Sequence, residues 1–132
     1  MGEDSQIIRI FARNIPPMAL AEDLHIYKQT YALLNLILDA REKFPKAYKY
    51  DFGGHMMMVA LECCELIQAA NMDRRGRAEN LRVFSIRFGS LRLMLRLCRD
   101  RQIIDVGKFA ELLSLAGEIG AQATAWRKAS TA

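Results

Sequence analysis

The chain has 132 residues, of which 52% are hydrophobic and 26% charged, and its formal net charge is +4. This length predicts a single domain with a hydrophobic core of its own. No apolar run reaches the roughly 18 residues that a membrane span needs, and Glu3 and Asp4 stand where a signal peptide would be basic, so we expect a cytoplasmic protein without membrane contact.

Residues 1–21 form an N-terminal head that stands apart from the helical pattern. Pro16 and Pro17 disfavour a helix at its end, whereas residues 7–11 are too apolar for a purely solvated tail. Three interpretations stay open. The head packs on the rest of the chain, it pairs with a neighbouring subunit, or it reflects a start codon placed upstream of the natural one.

Residues 22–132 are predicted to form the helical domain. Apolar periodicity predicts four amphipathic helices, at about residues 22–42, 51–72, 78–101 and 106–128. Pro45 ends the first because proline keeps the preceding residue out of the helical region. Asp51 and Asp105 are the expected N-caps of the second and fourth helices. Such helices, joined by short turns, predict an all-α fold, an antiparallel up-down four-helix bundle.

Apolar residues on the first and third predicted helices form three stripes. The first helix carries one, made of Leu24, Tyr27, Tyr31, Leu34 and Leu38. The third carries two, and the one expected to face the core is Phe84, Phe88, Leu91, Leu95 and Cys98. Its second apolar face is Val83, Ile86, Leu93 and Leu97. We expect this second face to pack against another subunit of a homo-oligomer; the alternative is that the third helix is the most central helix of the bundle.

Arginine is concentrated on the same helix and the turn before it. Residues 73–101 hold nine arginines, three acidic residues and no lysine, a net charge of +6. Arg92, Arg96 and Arg99 follow i, i+4, i+7 spacing and line one side, with Arg82 at its edge. Arg74, Arg75 and Arg77 lie at the preceding turn, and Arg101 lies just beyond the line.

An uncompensated patch of guanidinium groups predicts binding of phosphates, or of another acidic partner, without base specificity. The alternative is an ordinary solvated face. Arg87 falls among apolar positions, and we expect it to be buried or at an interface, with Glu62 or Glu65 as its carboxylate partner.

Residues that could carry catalysis are scattered. His25 and His55 lie on different helices, and Gly53-Gly54 lacks the rest of a phosphate-binding loop. The three cysteines, Cys63, Cys64 and Cys98, are expected to be reduced and buried. We therefore expect no enzyme, no cofactor, no metal site and no small-molecule substrate.

Several landmarks of the chain resemble a known family over about residues 24–128. They are Phe44-Pro45-Lys46, Tyr50, Gly53, Leu91, Leu95, Arg96, Ile119-Gly120 and Trp126. The chain resembles the small four-helix-bundle proteins that include the protein encoded in ribosomal RNA intervening sequences and the accessory variability determinant (Avd) of diversity-generating retroelements. The density of arginine on the third helix resembles the Avd branch.

This resemblance implies a bundle that assembles as a pentameric barrel with a basic surface. Such a protein would bind the retroelement's reverse transcriptase together with RNA or DNA, and would support mutagenic retrohoming. By resemblance, the first contacts would be Arg82, Arg92, Arg96 and Arg99, followed by Arg74, Arg75, Arg77 and Arg101. Two alternatives stay open: a bundle of the intervening-sequence type that binds RNA or ribosomes, and a purely oligomeric scaffold for acidic protein surfaces.

Overall fold

The computed structural model describes residues 17–131, with side chains described from His25 onward. Within that range the chain is helical and contains no strand. The elements are α1 (Pro17–Glu42), α2 (Lys46–Lys49), α3 (Asp51–Met72), α4 (Arg77–Asp100) and α5 (Val106–Thr131). All four predicted helices are present, and the short α2 lies in the connection between the first two. Residues 1–16 of the predicted head lie outside the described residues.

The four long helices form a bundle in which each helix has two neighbours. Helix α1 packs on α3 and α5, and α4 packs on the same two helices, so α1 and α4 lie diagonally across the core. Because the connections are short, consecutive helices run antiparallel. Polar contacts join α1 to α5 across one seam, where Gln29 donates to the carboxylate of Glu118 at 3.0 Å. The predicted all-α four-helix bundle is therefore confirmed. None of the helices within residues 17–131 is long and apolar enough to cross a membrane.

Helix ends follow the sequence signals with two exceptions. Asp105 is confirmed as an N-cap, since its Oδ1 accepts a hydrogen bond from the backbone N–H of Lys108 at 2.7 Å. Asp51 is not a cap, because it is the first residue of α3 and Tyr50 holds the preceding position. Helix α1 begins at Pro17, five residues before the predicted start. Proline is tolerated there because the first turn of a helix needs no backbone N–H donor.

The apolar stripe that periodicity indicates on α1 differs from the stripe that is buried. Ile26 and Ile37 are buried, whereas Tyr31 is 54% and Leu38 44% exposed, so the buried face lies roughly a third of a turn away from the periodic stripe. The buried stripe also contains Thr30, whose hydroxyl donates to the carbonyl oxygen of Ile26 at 2.7 Å. This bond within the helix satisfies the hydroxyl and makes its burial in an apolar core tolerable.

The predicted inward face of α4 is confirmed. Phe84, Phe88, Leu91, Leu95 and Cys98 are all buried, and the rings of Phe84 and Phe88 stack with centroids 4.9 Å apart. The three cysteines are free and buried as expected. Burial raises the pKa of the Cys63 thiol to about 12, with smaller contributions from Cys64 and Glu62, and raises that of Cys98 to about 11. These thiols are therefore neutral near pH 7 and act as small apolar side chains.

Arg77 joins three helices at one end of the bundle. Its Nε donates to the carbonyl oxygen of Ala70 at 2.7 Å, and its Nη2 donates to that of Asn71 at 3.1 Å. Both carbonyls belong to the last turn of α3, where no backbone donor within the helix remains for them. The guanidinium also lies 5.2 Å from the ring centroid of Trp126 on α5. One side chain at the start of α4 thus caps α3 and packs on α5.

Changing Arg77 to alanine is expected to lower the free energy of unfolding by about 1–3 kcal/mol, because two carbonyls lose a charged donor and Trp126 loses its cation. Urea unfolding followed by circular dichroism measures the change. Arg75→Ala is the matched control: Arg75 is exposed on the adjacent turn, and its loss should change stability by no more than about 0.5 kcal/mol. Equal midpoints for both variants would show that the Arg77 contacts do not stabilise the fold.

Candidate nucleic-acid interface

Carboxylates already neutralise three of the nine arginines between residues 73 and 101. The ion pairs are Arg82–Glu79 at 2.7 Å, Arg87–Glu62 at 3.1 Å and Arg99–Asp100 at 2.9 Å. Glu62, one of the two partners predicted for Arg87, is therefore confirmed. Burial of Arg87 is not found, because its side chain is 50% exposed.

The pair between Arg82 and Glu79 is bidentate, with a second hydrogen bond of 2.9 Å from Arg82 Nε. These hydrogen bonds hold the pKa of the Glu79 carboxyl below its ordinary value. Both side chains are largely exposed, so the pair contributes little to stability. Its effect is to compensate the positive charge that Arg82 could otherwise offer to a ligand.

Two further arginines are engaged by neutral groups of the fold. Arg77 caps α3 as described above. Arg101 donates from Nη2 and Nε to the hydroxyl oxygen of Tyr48, at 2.9 and 3.2 Å, and its guanidinium lies 5.6 Å from the centroid of the same ring. Arg101 therefore ties the end of α4 to the connection between α1 and α3, while its charge stays uncompensated.

Four arginines remain exposed, and within the described part of the chain they make no ion pair. They form two groups. Arg74 and Arg75 lie on the turn between α3 and α4, and Arg92 and Arg96 lie one helical turn apart in the middle of α4. Groups one turn apart on a helix are separated by about 6 Å along its axis, so both can reach the same phosphate-bearing strand.

Arg92, Arg96 and Arg99 line one concavity between α4 and α5. The ring of Phe109 lies in it, and the Arg99 guanidinium packs 5.1 Å from that ring centroid. Leu93 contributes to its edge. The structure thus brings together the three arginines that the sequence predicted to share a side. Planar guanidinium groups converging on one cavity suit phosphate or carboxylate oxygens, which they bind in two places at once.

Sequence reasoning missed two basic residues near this line. Arg127 and Lys128 lie close to the end of α5 and line a groove that also contains Arg92. Their spacing from α4 in the sequence gave no signal, because only the antiparallel packing of α4 on α5 brings them together. The other predicted residues are spread out: Arg74 and Arg75 lie at one end of α4 and Arg101 at the other.

The second apolar face of α4 points away from the core. Ile86, Leu93 and Leu97 are exposed, Leu93 by 65%, whereas Val83 is partly buried. Among the described residues α4 packs mainly on α3 and α5, just as α1 does, so the alternative that α4 is the most central helix of the bundle gains no support there. The subunit contact stays a prediction, with this exposed face as the surface that it would use.

The described residues contain no group of three or more histidine, cysteine, aspartate or glutamate side chains placed to hold a metal ion.

Comparison with protein families gives a match to a family described as bAvd-like, over residues 24–130. Comparisons with curated proteins and with solved structures give no significant match. The matched range covers four-fifths of the chain and includes every residue of the arginine-lined cavity.

Proposed function

The chain belongs to the bAvd-like family, and we propose that it is a non-catalytic accessory protein of a diversity-generating retroelement. In this role it binds the element's reverse transcriptase and structured RNA or DNA in the cytoplasm, and so supports mutagenic retrohoming. The observation that carries the proposal is the set of exposed arginines that make no ion pair within the described part of the chain, above all Arg92 and Arg96 in one cavity.

The charge distribution favours backbone binding in a fixed orientation. Residues 51–72 of α3 carry a net charge of −3, and α4 with its preceding turn carries +6 over residues 73–101. A polyanion is therefore repelled from α3 and attracted to the side where α4 meets α5. Guanidinium groups that bind phosphate release counterions and read no bases, which suits a protein that holds a template for a polymerase.

Binding of the full chain to an RNA hairpin across a salt series tests this function. On a duplex, each phosphate contact contributes roughly −0.9 to the slope of log affinity against log salt concentration. A site that makes about four such contacts should therefore give a slope of about −4. Co-purification with the reverse transcriptase of the same element is the second readout. RNA binding without polymerase binding would favour the intervening-sequence alternative, and failure of both would favour the scaffold alternative.

The exposed face of α4 is proposed to be the oligomer interface, with Ile86, Leu93 and Leu97 at its centre and Val83 at its edge. The family resemblance implies that five chains would assemble into a barrel. The barrel would then carry five copies of the basic cavity, arranged in a ring. Charged residues are depleted from the cores of such interfaces, so one buried carboxylate should disrupt the contact.

Leu93→Asp is expected to lower the mass measured by light scattering from a multiple of 15.0 kDa to that of one chain. The matched control is Val106→Asp, which places the same carboxylate at another exposed apolar position, at the start of α5, and should leave the mass unchanged. A wild-type mass of one chain would contradict the oligomer, and an unchanged mass for Leu93→Asp would place the interface elsewhere.

A further inference from the structure

Helix α1 carries an apolar stripe that lies outside the buried face of the helix. Its members follow the alternating 4- and 3-residue steps of a coiled-coil seam, and we call them the α1 stripe: Tyr27, Tyr31, Leu34 and Leu38. Tyr31 and Leu38 are exposed, the other two are partly buried, and the rings of Tyr27 and Tyr31 stack with centroids 6.4 Å apart. Packing within the described part of the chain therefore does not account for this regular spacing.

The second apolar face of α4 has the same periodicity. Its four residues follow alternating 3- and 4-residue steps once Ser90 is counted between Ile86 and Leu93. The Ser90 hydroxyl donates to the carbonyl oxygen of Ile86 at 3.4 Å, so it can enter an apolar contact without an unmet donor. The described residues thus contain exposed heptad stripes on two different helices.

Helices α1 and α4 run in the same direction, because the long helix between them, α3, is antiparallel to both. Contacts through α3 relate their heights along the bundle. The carbonyl oxygen of Thr30 on α1 accepts a hydrogen bond from Cys64 Sγ on α3 at 3.5 Å. Glu62, two residues before Cys64, pairs with Arg87 on α4 at 3.1 Å. Thr30 and Arg87 therefore lie at about the same height.

The two stripes consequently match in height. Tyr31 is adjacent to Thr30 in the sequence and Ile86 is adjacent to Arg87, so Tyr31 and Ile86 are nearly level. Leu38 and Leu93 follow seven residues later in their helices, a rise of about 10.5 Å in each. When two copies stand side by side with parallel axes, α1 of one and α4 of the next can present apolar side chains at equal heights.

The stripes face different neighbours. Helices α1 and α4 lie diagonally across the core, so one chain can offer its α1 stripe to one copy and its α4 face to another. The α1 stripe leans toward α3, since Arg41, one turn beyond Leu38, has its Cγ 3.0 Å from where a Cβ of Gly53 on α3 would stand. The two directions are therefore less than opposite, and repetition of a contact between them closes a ring.

Charge favours contact between α1 and α4 over contact between two α4 helices. Helix α1 holds four acidic and two basic residues, a net charge of −2, whereas α4 holds six arginines and two acidic residues, a net charge of +4. Two α4 helices side by side would repel each other, while α1 and α4 attract. Glu42 and Arg101, both exposed, stand at the C-terminal ends of these two parallel helices and can approach each other.

We propose that the α1 stripe of one chain packs in parallel on the second apolar face of α4 of the next chain, as a coiled-coil-like seam in which Leu38 meets Leu93. This seam presupposes the oligomer proposed above and gives the α4 face its partner surface. Arg92 and Arg96 lie on the flank of α4 toward α5 and are not needed as ion-pair partners, so RNA binding can be measured separately from assembly.

Disulfide formation between copies tests the seam. Leu38→Cys and Leu93→Cys are made as separate proteins, one with an affinity tag, then mixed and mildly oxidised. A disulfide-linked pair is expected in the mixture and in neither protein alone, because a disulfide needs Cα atoms within about 7 Å. Tyr50→Cys is the matched control: Tyr50 is about as exposed as Leu93 but lies outside both stripes, and it should link to neither. The three native cysteines are buried and should not compete.

The other pairings give different products. Linkage of Leu93→Cys with itself would mean that two α4 faces meet, and linkage of Leu38→Cys with itself that two α1 stripes meet; either would overturn the seam. Absence of any link in a protein whose mass is a multiple of 15.0 kDa would also overturn it, while the oligomer itself would stand. A wild-type mass of one chain would overturn both.

Mixing two charged variants gives an independent measurement. Tyr31→Asp and Leu93→Asp should each have the mass of one chain, because each lacks one of the two surfaces. In the mixture, the intact α4 face of the first can bind the intact α1 stripe of the second, and pairs of about twice 15.0 kDa are expected. An unchanged oligomeric mass for Tyr31→Asp would contradict the seam. Failure of the wild type to bind RNA would count against the proposed function and leave the disulfide result standing.

Discussion

Changing Arg92 and Arg96 together to alanine is expected to weaken binding to a structured RNA at least tenfold and to reduce the salt slope by about 2. Hydrogen bonds to charged groups contribute about 1.5–3 kcal/mol each, and tenfold in affinity corresponds to 1.4 kcal/mol. Each phosphate contact removed lowers the slope by about one. Both arginines are exposed, line one cavity and make no ion pair with another described residue, so no partner within residues 25–131 competes with the ligand. Fluorescence anisotropy across a salt series measures both quantities.

The matched control is the double change Arg82→Ala and Arg87→Ala, which removes the same number of positive charges from the same helix. These side chains are held by Glu79 and Glu62, so they offer less to a phosphate, and affinity should fall by much less. Equal losses for the two double variants would show that net charge alone governs binding and that the cavity has no special role. The oligomeric mass of both variants should equal that of the wild type, so that a change in affinity cannot come from a change in assembly.

Leu95→Ala is expected to lower the free energy of unfolding by about 2–5 kcal/mol, the largest stability effect of a single change considered for this chain. Leu95 is fully buried between α4 and its neighbours, and truncation leaves a cavity that the packed core fills only in part. Leu93, two residues away, is 65% exposed, and Leu93→Ala should change the stability of a single chain by no more than about 0.5 kcal/mol. Urea unfolding at low protein concentration compares the two.

The pair of leucines also reports on assembly. If Leu93 lies in a subunit contact, the stability of the wild type will rise with protein concentration, because dissociation then accompanies unfolding. The stability of Leu93→Ala should depend less on concentration, while Leu95→Ala should lose stability at every concentration. A loss for Leu93→Ala as large as that for Leu95→Ala in dilute solution would contradict the exposed position of Leu93 in the single chain.

The fold was predictable from sequence because its signals are local. Apolar periodicity, the break at Pro45 and the cap at Asp105 each act within a few residues, and all three hold in the structure. The orientation of α1 was not predictable by the same means. Its outward face carries large apolar residues such as Tyr31, whereas its buried face includes Thr30, so hydrophobicity favours the wrong side. Only packing against α3 and α5 decides between two stripes of this kind.

The site was predictable in part for the same reason. The line of Arg92, Arg96 and Arg99 follows from helical spacing alone, and so does the two-faced character of α4. Helical spacing cannot show which of the arginines are already bound to other groups of the same chain. The role of Arg77 depends on Trp126, 49 positions later in the chain, and the groove near Arg92 depends on Arg127. Contacts of this range arise from the antiparallel packing of helices, and no local pattern encodes them.

The surface of helix α4 has three sectors of different chemistry. One sector, with Leu95, holds the core; the flank toward α5, with Arg92 and Arg96, offers cations; and the outward sector, with Leu93, offers an apolar surface. Only the core sector is separate: Leu93 also lines the cavity of Arg92 and Arg96, so the apolar and cationic sectors share an edge. Substitutions on the exposed sectors can therefore alter assembly and binding together while the buried sector, and with it the architecture, stays unchanged.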